Sequence, residues 1–230
     1  MLFQPDDEDA EILPFTDRAE AGRSLAAKLT AYSGRSDVVV LGIARGGVVV
    51  AFEVAQALHA PLDVFVVRKL GVPWFKELGM GALAPGGVRL VDLSVAGDLS
   101  VSEQEIDEVV SAELQELQRR QQSYRQHRQE VPLLGKTVIL VDDGVATGNS
   151  VLAAIRALRQ CCVERVIVGI PVAALSCCAA IRMEADDLIC IAQPESFMAI
   201  SQWYEDFAEI GDDDVCALLD KANTFTARAA

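Results

Sequence analysis

Five short aliphatic runs constrain the fold of this chain more than any other feature. They occupy residues 38–44 (VVVLGIA), 62–69 (LDVFVVRK), 137–141, 165–171 and 188–192. Continuous β-branched runs of this kind are typical of strands buried on both faces of a sheet. Helix-like patterns fill the intervals between them, and strands that alternate with helices imply a parallel sheet with helices on both faces. We therefore predict an α/β fold.

The helix-like patterns define the rest of the organisation. They span about 16–32, 46–59, 102–124, 150–160, 176–182 and 212–221. A chain of 230 residues is the size of one α/β domain. We predict an acidic, loosely ordered tail over 1–14 and a single domain over 15–230, with its core at about 36–192.

One segment departs from this alternation. Residues 71–92 read GVPWFKELGMGALAPGGVRLVD, rich in glycine, and APGG is a turn signal between two strand-like pieces. We predict a mobile loop on a β-hairpin here.

The net charge of the chain excludes some classes of binding partner. The formal net charge of −14 argues against nucleic acid or an anionic membrane surface as the main partner. A small polyanionic substrate remains compatible with the net charge, because a few local cations outweigh a diffuse negative field.

The longest uncharged run, 166–181, is shorter than the about 20 residues of a membrane span and contains Pro171. The acidic start, MLFQPDDEDAE, lacks the positive charge that begins a signal peptide, so we predict a cytoplasmic protein.

The cysteines do not suggest a metal site. All 6 are spaced without a CxxC pair, and two adjacent pairs occur at 161–162 and 177–178. Buried, reduced thiols are the favoured interpretation.

Polar stretches follow three of the predicted strands. They are ARGG at 44–47, RK at 68–69 and DDGVATGNS at 142–150. Ligands of open α/β sheets bind at the carboxyl ends of the strands, where such stretches converge. We expect the binding site at this edge.

The third stretch combines an anion cradle with two carboxylates. Gly148, Asn149 and Ser150 begin a predicted helix, and helix-start amides with the Thr147 and Ser150 hydroxyls can hold a phosphate. No lysine follows the glycine as it would in a Walker loop. Asp142 and Asp143 would repel that phosphate, so they favour vicinal hydroxyls or magnesium on the same ligand. The alternative is a helix-capping turn with solvated aspartates.

The stretch VILVDDGVATGNS, residues 138–150, resembles the phosphoribosyl pyrophosphate (PRPP) motif of type I phosphoribosyltransferases. The resemblance implies that Asp142 and Asp143 hold the ribose 2- and 3-hydroxyls. It also implies a phosphate loop formed by Ala146, Thr147, Gly148, Asn149 and Ser150. Gly144 departs from the motif, which usually has an aliphatic residue there.

The other two stretches resemble further parts of that family. ARGG is similar to its pyrophosphate loop, which implies pyrophosphate binding by Ala44, Arg45, Gly46 and Gly47 and a non-proline cis peptide at Ala44–Arg45. RKLGVP, from residue 68, resembles the start of its flexible catalytic loop, most nearly in adenine phosphoribosyltransferases.

Within that loop, Arg68 and Lys69 would meet the charge of pyrophosphate. Trp74 and Phe75 have two interpretations, a seal of the loop against water and ordinary packing of a hairpin.

The resemblance extends over nearly the whole chain after the tail. FTDRAEAGRSLAAKL, ELGMGALAPGG and SQWYEDF are similar to a bacterial group of predicted phosphoribosyltransferases of uncertain acceptor. It implies a small hood, formed by the amino-terminal segment and about 193–210, that selects the acceptor. Trp203 and Tyr204 are either stacking residues or hood core. A homodimer is expected by analogy.

The implied reaction is displacement of pyrophosphate from PRPP by a nitrogen nucleophile. Its expected catalytic residues are Arg45, Arg68, Lys69, Asp142 and Asp143. Mg²⁺ would be bound mainly through PRPP, with water-mediated contacts to the two aspartates. The alternatives are a non-catalytic PRPP- or nucleotide-binding regulator and a hydrolase.

The resemblance also bears on the acceptor. In the hypoxanthine–guanine branch an aspartate that handles the purine proton stands at the position of Ala146, and a methyl group cannot replace it. Adenine or a non-purine acceptor is therefore favoured over 6-oxopurines.

Overall fold

The computed structural model describes residues 14–125 and 128–226. The predicted acidic tail lies outside the described residues as far as residue 13. The helices are α1 Arg18–Lys28, α2 Gly46–Leu58, α3 Leu93–Asp98, α4 Glu103–Arg125, α5 Asn149–Gln160, α6 Leu175–Glu184 and α7 Asp212–Thr226. The strands are β1 Val38–Ile43, β2 Leu62–Phe65, β3 Arg68–Val72, β4 Phe75–Ala84, β5 Val88–Val91, β6 Thr137–Val141, β7 Arg165–Val172 and β8 Asp187–Ala192.

The main sheet has 5 parallel strands in the order β2-β1-β6-β7-β8, which confirms the α/β prediction. Successive side chains of β1 enter opposite cores. Val40 packs with the residues of α1, α2 and α7, while Leu41 packs with those of α5 and α6. Burial on both faces is the reason why the strand sequences are continuous aliphatic runs.

The run at 62–69 does not form one strand, and that expectation was wrong. β2 ends at Phe65, and Arg68 begins β3 in a separate antiparallel sheet of order β3-β4-β5. Val66 and Val67 between them are buried in the two different cores. Residues 64–67 are all apolar, so the sequence contains no signal for the point at which the chain leaves one sheet for another.

The second sheet forms the predicted hairpin. Leu70 pairs with Gly81 and Val72 with Phe75, with register shifts between them. The APGG turn lies between β4 and β5. At the tip, Trp74 is 59% exposed and Phe75 55% exposed, so neither ring is packed in the hairpin.

Helix α3 was not predicted. Its start is capped by the Asp92 carboxylate, which accepts from the Ser94 and Val95 amides at 3.0 and 3.2 Å. The helix has 6 residues, too few to show an apolar period in the sequence.

The amino-terminal segment joins a segment near the other end of the chain. The Phe15 amide donates to the Trp203 carbonyl at 2.9 Å, and the Glu205 amide donates to the Phe15 carbonyl at 2.8 Å. A small apolar cluster forms under this contact, with Ala21 and Tyr204 among its buried members. Both segments therefore lie beside the ends of β7 and β8, which contribute Val172 and Ala192 to the same cluster.

Candidate functional site

Two of the three polar stretches follow β1 and β6, which are adjacent strands. Leu41 is opposite Leu140, and Gly42 is opposite Val141, so the two loops start side by side. A cavity of about 440 Å³ opens at the loop after β6, and none of the predicted pyrophosphate residues 44–47 lines it. Its lining residues are Lys69, Glu77, Leu78, Gly79, Asp142, Asp143, Gly144, Val145, Ala146, Thr147, Gly148, Ser150, Val151 and Ile200.

The predicted phosphate loop lies between two anchor points, the hydrogen-bonded Val145 and Gly148 at the start of α5. The Val145 amide donates to the Val172 carbonyl at 3.0 Å, and the Val145 carbonyl accepts from the Ala174 amide at 2.8 Å. Gly148 has φ +84° and precedes the first residue of α5. Ala146 and Thr147 are exposed between these anchors. The loop therefore presents the amino end of α5 to the cavity, an arrangement suited to an anion.

The loop after β1 lies against the acid pair. A Cβ atom at Gly47 would lie 2.8 Å from the Val141 carbonyl oxygen and 2.9 Å from Asp142 Cα. Only glycine allows this approach of the two backbones. The peptide bond between Ala44 and Arg45 is cis, as predicted.

The two carboxyl groups have different surroundings. Asp143 Oδ2 lies 2.7 Å from Arg18 Nε, with only 9% and 11% of the Arg18 and Asp143 side chains exposed. Asp142 Oδ1 accepts from the Asp143 amide at 2.9 Å. Burial raises the pKa of Asp142 well above its ordinary value, and the neighbouring Asp143 charge acts in the same direction. Burial also raises the pKa of Asp143, opposed by Arg18. Arg18 thus acts mainly on the pKa of Asp143, and it is the smallest influence on the pKa of Asp142.

Arg18 was not identified from the sequence. It lies on α1 in register with Ala21, Gly22 and Leu25, which are all buried. An arginine in an apolar stripe is the signal that could have found it, because long charged side chains are rarely buried unless paired.

The three predicted basic residues, Arg45, Arg68 and Lys69, lie in different surroundings. Arg45, in the loop after β1, has its Nη2 atom 2.9 Å from Glu209 Oε1. Lys69 lines the cavity and donates from Nζ to the Glu77 carbonyl. Arg68 pairs with Glu113 of α4 at 2.7 Å. Adjacent residues of a strand face opposite ways, so the structure brings Lys69 to the cavity and places Arg68 against α4.

Tyr204 and Trp203, the two aromatic residues of the predicted hood, differ in their hydrogen bonding. Tyr204 is buried, packs on Phe15 and Phe207, and donates from its hydroxyl to the Asp143 carbonyl. Trp203 stacks on Phe197 with ring centroids 6.2 Å apart. Its Nε1 is buried without a hydrogen-bond partner among residues 14–125 and 128–226. The Tyr204 contacts are those of a core residue.

The cysteine prediction was wrong for one pair. Cys161 and Cys162 are exposed in the turn after α5, whereas Cys177, Cys178 and Cys216 are buried. None of the six, all of which lie in the described part of the chain, forms a disulfide. An adjacent pair at a helix end is not distinguishable by composition from one inside a helix.

The parallel sheet, the glycine loop after one strand and the acid pair with an anion cradle after its neighbour together have the architecture of the type I phosphoribosyltransferase fold. The chain belongs to this family: the model of the "Phosphoribosyl transferase domain" matches residues 10–207.

Two sequence relatives carry a phosphoribosyl transferase name, and one solved structure shares the fold. Two Mycobacterium tuberculosis proteins, from strains CDC 1551 / Oshkosh and ATCC 25618 / H37Rv, are named "Putative phosphoribosyl transferase". Each is 43% identical over 215 residues, which cover 94% of this chain and 48% of the relative. The chain thus spans about half the length of these curated relatives. The crystal structure of TT1426 from Thermus thermophilus is 37% identical, with a TM-score of 0.75 over 91% of this chain and 99% of that one.

Two further kinds of feature are absent from the described part of the chain. No helix there is both long and apolar enough to cross a membrane. No group of three or more His, Cys, Asp or Glu side chains there could by itself hold a metal ion.

Proposed function

We propose that this chain is a phosphoribosyltransferase that displaces pyrophosphate from PRPP with a nitrogen nucleophile. The observation that carries the proposal is the single cavity shared by Asp142, Asp143, the loop at 146–150 and Lys69. A ligand that has a phosphate, vicinal hydroxyls and a second anionic group would use all three parts at once.

The proposed roles follow from chemistry and position. The amides and hydroxyls at 146–150 bind the 5-phosphate, and Asp142 and Asp143 accept from the ribose 2- and 3-hydroxyls. The C1–oxygen bond to pyrophosphate breaks while the C1–nitrogen bond forms, and the nucleophile loses a proton. Arg45 and Lys69 stabilise the charge that builds on the leaving pyrophosphate. Arg68 would join them only after leaving Glu113, to which it is paired at 2.7 Å.

A magnesium ion fits this site through its substrate. Mg²⁺ typically uses one or two protein carboxylates together with substrate phosphates and water. Asp142 and Asp143, both of which line the cavity, offer those carboxylates, directly or through water. When bound, the ion neutralises charge on the pyrophosphate.

The acceptor side is proposed to be the hood, formed by the amino-terminal segment and about 193–210. Ile200 supports this assignment, since it lines the cavity and would contact a Cβ atom placed at Gly144. Ala146 is exposed in the loop and offers a methyl group where proton transfer to a 6-oxopurine needs a carboxylate. Adenine or a non-purine nitrogen compound is the acceptor class we propose.

Calorimetry with PRPP and Mg²⁺ tests the binding step. Replacing Asp142 and Asp143 together with Asn should weaken binding at least about tenfold, or about 1.4 kcal/mol. Asp107→Asn is the control, because Asp107 forms an exposed pair with Arg89 and does not line this cavity. Unchanged affinity in a folded double variant would refute the proposal.

Pyrophosphate release tests the transfer step. Pyrophosphate release should require PRPP and a nitrogen acceptor together, and mass spectrometry should detect the phosphoribosylated acceptor. Release with PRPP alone indicates a hydrolase, and tight binding without release indicates a non-catalytic regulator.

A further inference from the structure

We propose that Arg18 is a positioning residue, which fixes the Asp143 carboxylate for the ribose hydroxyls and joins it to the hood. The inference rests on the proposed use of PRPP. Arg18 and Asp143 are 125 positions apart in the sequence.

Three contacts fix the Arg18 side chain. Its Nε donates to Asp143 Oδ2 at 2.7 Å, and its Nη1 donates to the Ala208 carbonyl at 2.8 Å. Its guanidinium carbon lies 3.7 Å from the centre of the Phe207 ring. The planar guanidinium can make these contacts simultaneously, whereas an ammonium group cannot stack and donate in the same way. Arg18 therefore links α1, the acid pair and the segment 207–208.

The same contacts leave Asp143 little freedom. Its carbonyl accepts from the Tyr204 hydroxyl, and its amide donates to Asp142 Oδ1 at 2.9 Å. Arg18 holds Oδ2 of the Asp143 carboxylate, and Asp143 lines the cavity. A Cβ atom at Gly46 would collide with Asp143 Oδ2 and approach Arg18 Nε to 2.9 Å. The loop after β1 is thus packed directly on the ion pair.

A role limited to stability explains this arrangement less well. A buried ion pair is weak evidence of stabilisation, since well-packed apolar residues often replace one without loss. This pair lies beside the cavity, and its acidic member lines the cavity. A residue that orients Asp143 should affect ligands that carry ribose hydroxyls and spare ligands that lack them.

Two probes separate the two roles. We would measure PRPP–Mg²⁺ and inorganic pyrophosphate–Mg²⁺ binding by calorimetry for Arg18→Gln, Arg18→Lys and the control Arg23→Gln. Arg23 lies on the same helix with its side chain 60% exposed. Loss of a group that orients a metal-ligating side chain typically costs about 10–100-fold, and we expect a loss of the same order for PRPP–Mg²⁺ binding with Arg18→Gln. Pyrophosphate affinity should stay unchanged, and Arg18→Lys should recover part of the PRPP affinity.

A double-mutant cycle tests whether Arg18 acts through Asp143. In the Asp143→Asn background, Arg18→Gln should cause little further loss of PRPP affinity, because coupled residues are not additive. Equal weakening of both probes, or full additivity, would overturn the inference, and so would unchanged PRPP affinity in the Arg18 variants. If Arg18→Gln does not fold, Arg18→Lys supplies the same comparisons. A wild-type chain that binds no PRPP refutes the proposed function itself, a result distinct from all of these.

Discussion

Arg45 Nη2 and Glu209 Oε1 form an ion pair at 2.9 Å, so a carboxylate lies on the guanidinium that we assign to pyrophosphate. The two residues are 164 positions apart in the sequence. The Glu209 side chain is 84% exposed, and exposed ion pairs typically contribute about 0.2–1 kcal/mol. Such a contact is weak enough for an incoming pyrophosphate group to displace.

Replacing Glu209 with Gln should therefore tighten pyrophosphate–Mg²⁺ and PRPP–Mg²⁺ binding. Removing a competing pair worth up to about 1 kcal/mol raises affinity by up to about fivefold. Calorimetry at low ionic strength measures the change, and added salt should reduce it. Glu205→Gln is the control, an exposed glutamate on the same segment. An equal gain in the control would assign the effect to net charge instead of Arg45.

The sequence was informative where function depends on neighbouring residues. The acid pair, the glycine at the start of α5 and the glycines after β1 each lie within one short stretch. The strand runs were likewise visible, since burial on both faces leaves no polar alternation.

Contacts between distant segments left no comparable signal. The Arg18–Asp143 and Arg45–Glu209 pairs depend on how α1 and the segment 207–209 pack, which no local pattern specifies. The different directions of Arg68 and Lys69 were hidden for another reason. They follow from the start of β3 at Arg68, inside a run that reads as one strand.

Gly47→Ala should damage both stability and binding. Its Cβ atom would lie 2.8 Å from the Val141 carbonyl oxygen, a backbone group that cannot rotate away. Overpacking of this kind typically costs about 1–3 kcal/mol of unfolding free energy, and the displaced acid pair should bind PRPP less well.

Gly97→Ala is the matched control for Gly47→Ala. In the part of the chain that the structure describes, a Cβ atom at Gly97 would have no neighbour within 4 Å. Gly97 lies in α3, where alanine is favoured over glycine by about 0.5–1 kcal/mol, so this variant should be neutral or more stable. Urea unfolding and calorimetry measure the two effects. Equal unfolding free energies for the two variants would contradict the steric account.

The hairpin should become protected when substrate binds. Its tip carries two exposed rings, Trp74 and Phe75, and its base carries Lys69 at the cavity. Closure over pyrophosphate would order the segment, as lids of enzyme active sites commonly do. Hydrogen exchange over 70–81 should slow on addition of PRPP and Mg²⁺, whereas exchange in β7 should not change. Closure should also change the fluorescence of the exposed Trp74, and Trp74→Phe should remove that change. Identical exchange in the two states would make the hairpin a static element.

The last prediction concerns 6-oxopurines. Ala146 is exposed in the loop at the cavity, and its methyl group can neither donate nor accept a proton. General acid–base assistance typically contributes about 10²–10⁴-fold, so hypoxanthine, guanine and xanthine should be poor acceptors. Asp142 and Asp143 are assigned to the ribose and Asp143 is paired with Arg18, so neither carboxylate is free to replace the missing group. Turnover of hypoxanthine or guanine with kcat/KM of about 10⁴ M⁻¹s⁻¹ or above would contradict this. Ala146→Asp supplies the internal check: if the side chain faces the acceptor and not the phosphate, the variant should retain PRPP binding by calorimetry.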